Sequence, residues 1–203
     1  MKKFSIVSLI TLMWALASPL VLAQGDPVAG QTKAALCAAC HGNDGNSPLA
    51  INPKLAGQNA KYLVKQLQDY KSGRRVNPVM TGMAAALTEE DMEDISAWYA
   101  SQTVTLGGAD PELLELGQSI YRSGVEELSV AACSACHSPT GRGNSPAGFP
   151  ALSGQYPEYT LLQLQSFRSG ERANDMSSMM RTVVKRLSDR ELQALASYLS
   201  GLH

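Results

Sequence analysis

The pentapeptide Cys-x-x-Cys-His stands twice in this 203-residue chain, as Cys37-Ala38-Ala39-Cys40-His41 and as Cys133-Ser134-Ala135-Cys136-His137. The two copies take all four cysteines and two of the three histidines. This is the spacing of c-type haem attachment. Cysteines three apart lie on one side of a helical turn, so their sulfurs can reach the two vinyl groups of one porphyrin, and the next residue turns its imidazole toward the iron. A thioredoxin-like redox pair should instead follow a strand in a βαβ setting, whereas an Ala-rich helical run precedes Cys37. The two pairs are about 90 residues apart, far beyond zinc-ribbon spacing, and neither alternative explains the repeated histidine. Two covalently bound haem c groups are expected, held through Cys37, Cys40, Cys133 and Cys136, with His41 and His137 as axial ligands.

The sixth ligand decides the chemistry. An open position permits ligand binding or peroxide chemistry, whereas a methionine sulfur closes the iron and raises its potential. The only spare histidine is His203, so bis-histidine ligation at both irons is impossible within the chain. Met80, Met83 and Met92 follow the first motif and Met176, Met179 and Met180 the second; most of these should be ordinary packing. Overlaying Thr88 on Ser188 puts Met80 on Met180, while Met83 falls on Val183 and Met179 on Val79. Met80 and Met180, 39 and 43 residues after their histidines, are therefore assigned as distal ligands, with Met83 and Met179 as rivals. A ligating imidazole normally donates its other ring N–H to a fixed acceptor. The carbonyls of Pro53 and Pro150, each in a Pro-x-Leu-x-Gly turn, are candidates.

The elements that must position these groups also come in pairs, and such self-similarity is a fold-level signal. Asp26-Pro27 and Asp110-Pro111 each set an N-cap acid before a proline at the first helical position. Gly30-Gln31 recurs as Gly117-Gln118, and Gly45-Asn46-Ser47-Pro48 resembles Gly143-Asn144-Ser145-Pro146. Pro53-Lys54-Leu55-Ala56-Gly57-Gln58 pairs with Pro150-Ala151-Leu152-Ser153-Gly154-Gln155 at an offset of 97, and the next helix repeats Tyr62, Gln66, Leu67, Tyr70 and Gly73 as Tyr159, Gln163, Leu164, Phe167 and Gly170. Capping boxes Thr88/Asp91 and Ser188/Glu191 open final helices over 89–101 and 189–202. Their apolar stripes are Met92, Ile95 and Tyr99, then Leu192, Leu195 and Leu199. No segment alternates like a strand between hairpin signals. The pattern predicts an all-α fold in two tandem domains, 24–101 and 110–203, joined by a linker at 102–109.

Lys2 and Lys3, an apolar run from Phe4 to Leu16, and the small-residue pattern Val21-Leu22-Ala23 read as a signal peptide over 1–23. The run is short for a membrane span. Export to the periplasm suits the chemistry, because bacterial c-type haem attachment occurs outside the cytoplasm. Losing those two lysines takes the formal net charge from −1 to −3. No strongly basic stretch suggests a nucleic-acid partner.

Each half resembles a class I cytochrome c, with an N-terminal helix into the haem motif, the Pro-x-Leu-x-Gly turn, then a distal Met before the last helix. The tandem, over 26–203, resembles the dihaem cytochrome c4 family through Asp44-Gly45-Asn46-Ser47-Pro48, Lys65-Gln66-Leu67-Gln68-Asp69, Met80-Thr81-Gly82-Met83, Gly148-Phe149-Pro150 and the ending Gly201-Leu202-His203. The resemblance implies an electron carrier and not an enzyme, in the periplasm, of a kind often loosely associated with the membrane. It implies transfer from a quinol-oxidising cytochrome bc complex toward a terminal oxidase or reductase, with His41/Met80 and His137/Met180 as the axial pairs. A dihaem subunit of a larger dehydrogenase, such as a sulfide-oxidising flavocytochrome, is the alternative reading; a dihaem peroxidase is a weaker one. Acids at 89–94 and bases Arg181, Lys185, Arg186 and Arg190 could steer different partners to the two ends.

Halves of 80 to 95 residues make marginal cores unaided, so a porphyrin should supply part of each core. Replacing the four cysteines by serine should leave a chain without cooperative melting in circular dichroism.

Overall fold

A computed structural model describes residues 25–203; the expected signal peptide lies outside these residues. The described chain is helical, with two isolated β-bridges, Val125 with Val130 and Asn144 with Phe149, and no sheet. The first half contains α1 (Pro27–Lys33), α2 (Ala38–His41), α3 (Ala60–Lys71), α4 (Pro78–Ala85) and α5 (Glu89–Ala100). The second repeats the order with α6 (Pro111–Ser123), α7 (Ser134–His137), α8 (Pro157–Ser169), α9 (Met179–Val184) and α10 (Asp189–Gly201). No described helix is long and apolar enough to cross a membrane.

Helix starts follow the local chemistry. The Asp26 carboxylate accepts from Val28 N and that of Asp110 from Glu112 N, each with proline at the first helical position. Both capping boxes are closed in both directions.

The framework of each half is a crossing of its first and last helices. At the α1–α5 crossing a Cβ on Gly30 would stand 1.9 Å from the Asp94 carbonyl oxygen; at α6–α10 a Cβ on Gly117 would stand 2.3 Å from that of Ala194. The recurrent glycine is thus a demand of close helix approach. Polar bonds lock both crossings. Asp94 accepts from Asp26 N and Lys33 Nζ, both at 2.7 Å, and Ser197 Oγ accepts from Asp110 N at 2.7 Å.

Around these crossings the two cores are filled differently. The first is small, formed by Ala34, Leu63, Ile95 and Tyr99; the second gathers Ile120, Tyr121, Phe167, Val184, Leu192, Leu195, Leu199 and others. Superposing the crossing glycines sets Ala34 on Tyr121, while the capping boxes set Tyr99 on Leu199. At this pair of positions the ring therefore comes from the last helix in the first half and from the first helix in the second.

The halves meet through polar side chains from α3, α8 and the loops after them. Arg75 donates to Gln66, Tyr159 and Gln163 at 2.8–2.9 Å, and Arg172 donates to Gln163, Tyr62 and Gln66 at 2.8–3.1 Å. Arg75 and Arg172 are 97 positions apart, the offset that relates Tyr62 to Tyr159 and Gln66 to Gln163. Beside them Asp69, 1% exposed, accepts from Lys65, from Arg74 Nε at 2.8 Å and from Asn174 Nδ2 at 2.6 Å across the interface.

Burial pushes the Asp69 carboxyl up, but its bonds with Lys65, Asn174 and Arg74 outweigh it and hold the group below its ordinary 3.8. Its stabilisation is therefore complete above pH 3.8 and is lost as pH falls through the lower folded value. Asp69→Asn should cost about 2 kcal/mol at neutral pH by stranding its donors, a drop of roughly 4–8 °C in Tm for a chain this long. The gap between variant and parent in thermal melts should close as pH falls below 3.8.

Candidate cofactor sites

Each Cys-x-x-Cys-His motif folds as one helical turn, closed by His41 N to Cys37 O at 2.9 Å and by His137 N to Cys133 O at 3.0 Å. The turn sets the two sulfurs of each motif on one face, three residues apart. All four cysteines are unbridged. Burial raises the Cys37 thiol and pushes Cys133 up to about 11, so both are protonated at neutral pH. The chain leaves the first turn through Gly42 at φ +80°; in the second, Ser138 takes the same left-handed step at φ +67°.

Both motif histidines are buried, each 6% exposed. His41 Nδ1 lies 2.9 Å from the Pro53 carbonyl oxygen and His137 Nδ1 lies 3.0 Å from that of Pro150. A carbonyl can only accept, so Nδ1 carries the proton and Nε2 keeps its lone pair. Burial lowers both pKa values against the opposing pull of the carbonyl, leaving neutral imidazoles. This is the tautomer and charge state a metal ligand needs.

Each proline is held by a turn of the same design. Leu55 N and Ala56 N donate to Gly45 O at 2.7 and 3.2 Å, and Leu152 N and Ser153 N donate to Gly141 O at 2.7 and 3.1 Å. Gly57 N and Gly154 N then bond the last helices at Tyr99 O and Leu199 O. The pairing of Gly45-Asn46-Ser47-Pro48 with Gly143-Asn144-Ser145-Pro146 is corrected here. Gly45 corresponds in its bonds to Gly141, four residues after its histidine in each half. Gly143 begins the extra bridged loop closed by Asn144 and Phe149.

Sequence reasoning also missed what fastens these turns to each other. Gln58 Oε1 accepts from Ala151 N at 2.8 Å and its Nε2 donates to Ala151 O at 2.9 Å. Gln155 does the same to Lys54, at 3.0 and 2.9 Å. The recurrence of Gln after Pro-x-Leu-x-Gly was the available signal.

Met80 is half-buried in α4, with its N–H on the Asn77 cap at 3.0 Å; Met83, one turn on, is 38% exposed. Met92 is fully buried on α5, as a packing residue. In the second half Met180 packs against the core cluster that Cys133 also touches, whereas Met176 is 58% exposed and Met179 is half-buried. Asn77-Pro78 opens α4 without strain, but Ser177 and Ser178 precede α9 in left-handed conformations at φ +51° and +57°. The Asp175–Arg181 pair at 2.7 Å clamps that segment.

The residues fit a covalently attached porphyrin in each half. Each motif offers two unbridged cysteine sulfurs that would take two vinyl groups, beside a buried neutral imidazole whose second nitrogen is committed. Arg75 and Arg172 carry no ion pair among the described residues, and their charges suit the acidic side chains of haem. The orphaned, buried Tyr99 hydroxyl also lacks a protein partner among these residues.

A family model for cytochrome c matches the chain twice, over 28–103 and 115–203. The chain is 52% identical to a cytochrome c4 of Thiocapsa roseopersicina over 88% of this chain and 93% of that protein. It superposes on reduced recombinant cytochrome c4 from Pseudomonas stutzeri with a TM-score of 0.86 and 48% identity, covering 88% of this chain and all of that one. It is also 37% identical to a thiosulfate dehydrogenase electron acceptor of Stutzerimonas stutzeri, over 82% of this chain and 78% of that one.

Proposed function

The chain belongs to the cytochrome c4 family of dihaem electron carriers, and we propose that it is a periplasmic shuttle between a quinol-oxidising cytochrome bc complex and a terminal oxidase or reductase. The proposed mature protein comprises domains 24–101 and 110–203 joined by 102–109, after removal of a signal peptide over 1–23. Two haem c groups are bound through Cys37 and Cys40 and through Cys133 and Cys136; His41 with Met80 and His137 with Met180 are the proposed axial pairs.

The observation that carries this reading is the locked imidazole in both halves, and the sequence repeat supplies each half with a methionine at the equivalent later position. When bound, each haem supplies a one-electron couple that needs no substrate on the metal. The chain's contribution is positional. Cysteines hold the cofactor, the proline carbonyls fix each histidine ring, and the two helix crossings keep these groups in place.

Charge gives the carrier unequal ends. On α5, Asp91 and Asp94 are drawn into ion pairs with Lys33 at 3.0 and 2.7 Å, which weakens the acidic patch. Near α9, Lys185, Arg186 and Arg190 are exposed and have no carboxylate partner among the described residues. An acidic redox partner is therefore the proposed visitor to the second domain.

Resemblance to the thiosulfate dehydrogenase electron acceptor favours a second reading, in which a dehydrogenase in place of the bc complex is the electron donor. Transfer from each donor, measured by stopped flow with the purified dihaem protein, separates the two.

Met80→Ala and Met180→Ala should each make one reduced haem bind carbon monoxide, while the parent binds none; binding by the parent would remove the closed-site reading. Reversing Lys185 and Arg186 to glutamate should slow transfer to an acidic acceptor by roughly tenfold at low salt, an effect that fades at high ionic strength. An unchanged salt dependence would remove the docking assignment.

A further inference from the structure

The carbonyl of Pro53 and the N–H of Lys54 belong to one peptide unit, and so do the carbonyl of Pro150 and the N–H of Ala151. A peptide unit is planar and turns as one rigid body. The histidine of each domain donates to the carbonyl side of its own unit, at 2.9 Å for His41 and 3.0 Å for His137. The N–H side is held from the opposite domain: Lys54 N donates to Gln155 Oε1 at 3.0 Å, and Ala151 N donates to Gln58 Oε1 at 2.8 Å.

Each glutamine amide is itself fixed. Its Nε2 returns a bond to the carbonyl of the same residue, Lys54 or Ala151, at 2.9 Å. Its Oε1 also accepts from the next backbone N–H of its own chain segment, Asn59 at 2.8 Å for Gln58 and Tyr156 at 3.0 Å for Gln155. One bond of the clasp holds the N–H end of that rigid plane and the other holds the carbonyl of the next peptide unit, so the glutamine orients the proline carbonyl from both sides of Lys54 or Ala151. Accepting at the N–H also polarises the amide and makes its carbonyl a stronger acceptor.

We infer that Gln155 is a positioning residue for the haem of the first domain and Gln58 for that of the second, each acting across the interface through the other domain's proline carbonyl. The inference rests on His41 and His137 being axial ligands. Its chemical content is a crossed control of basicity. A firm Nδ1–H bond makes the imidazole a better donor through Nε2, which favours the oxidised iron. Loss of the clasp lets the peptide rock and weakens the bond, so the potential of the haem in the other domain rises. Docking of the two domains thus becomes part of the setting of both potentials.

The test is a redox titration of the dihaem protein followed by the paramagnetically shifted haem methyl signals in proton NMR, which report each haem separately. Gln155→Ala should favour reduction of the haem on His41 by roughly threefold, ~28 mV for a one-electron couple, with the haem on His137 unmoved. Gln58→Ala should do the converse. Tyr156→Phe removes another interdomain bond, to Ser47 O, without touching either peptide unit, and should move neither potential. Shifts in the variant's own domain, equal shifts in both haems, or no shift would each overturn the crossed assignment. The hyperfine-shifted ring protons of His41 and His137 report axial ligation in the same spectra. Their absence would refute the ligand reading itself, and their presence with uncrossed potentials would refute only the clasp.

Discussion

A buried imidazole offers one nitrogen to a metal only if the other is committed elsewhere, and here that commitment is the Nδ1–H bond to a proline carbonyl. Much of the fold converges on it. The one-turn helix presents the histidine, the Pro-x-Leu-x-Gly turn is pinned to Gly45 O or Gly141 O, and the glycine of that turn is tied to the last helix. The last helix is in turn seated on the first by a crossing so close that only glycine fits at Gly30 and Gly117. Proline suits the acceptor position because it stiffens the turn while keeping its carbonyl available.

The duplicated scaffold is preserved where this geometry demands it and relaxed where only volume matters. Tyr99 facing the place of Ala34, and Tyr121 facing that of Leu199, fill equivalent space from opposite helices, as a close-packed interior requires. The distal segments diverge further. Asn77-Pro78 enters α4 with an ordinary cap, whereas two left-handed serines and the Asp175–Arg181 pair bring the chain to Met180. Two haems in so similar a frame are therefore placed in unlike surroundings, with a small apolar core in the first domain and a larger one in the second.

Between the domains the chemistry changes from apolar to polar. Two guanidinium groups, two tyrosines and two glutamines repeat about the interface, and Asp69 adds a bond from Asn174 of the other half to those from its own Lys65 and Arg74. Such bonds are directional, so they specify one docking arrangement more sharply than an apolar face would. For an electron carrier, a single arrangement fixes how the two centres stand to each other.

Several features were open to inspection in the chain because they are local or periodic. The haem motif, the Asp-Pro and capping-box starts, the helical stripes at Met92, Ile95 and Tyr99, and the proline acceptors all depend on residues within a turn or two of each other, or within one repeat. The correspondence of Gly45 with Gly141 was not, because a matching Gly-Asn-Ser-Pro string disguised a one-residue difference in loop length that only the bonds to Gly45 O and Gly141 O reveal. Nor was the partial neutralisation of the acids on α5, since Lys33 reaches them only after α1 has crossed α5. The glutamine clasps and the arginine cluster join residues about 100 positions apart. Their types recur in the sequence, but a repeat cannot tell an internal contact from one made across the domain interface. By itself, then, the sequence determined that two haems are attached and which groups in each half could hold them. Only the tertiary structure decided that each half also braces the other's histidine, because that depends on how two independently patterned domains dock.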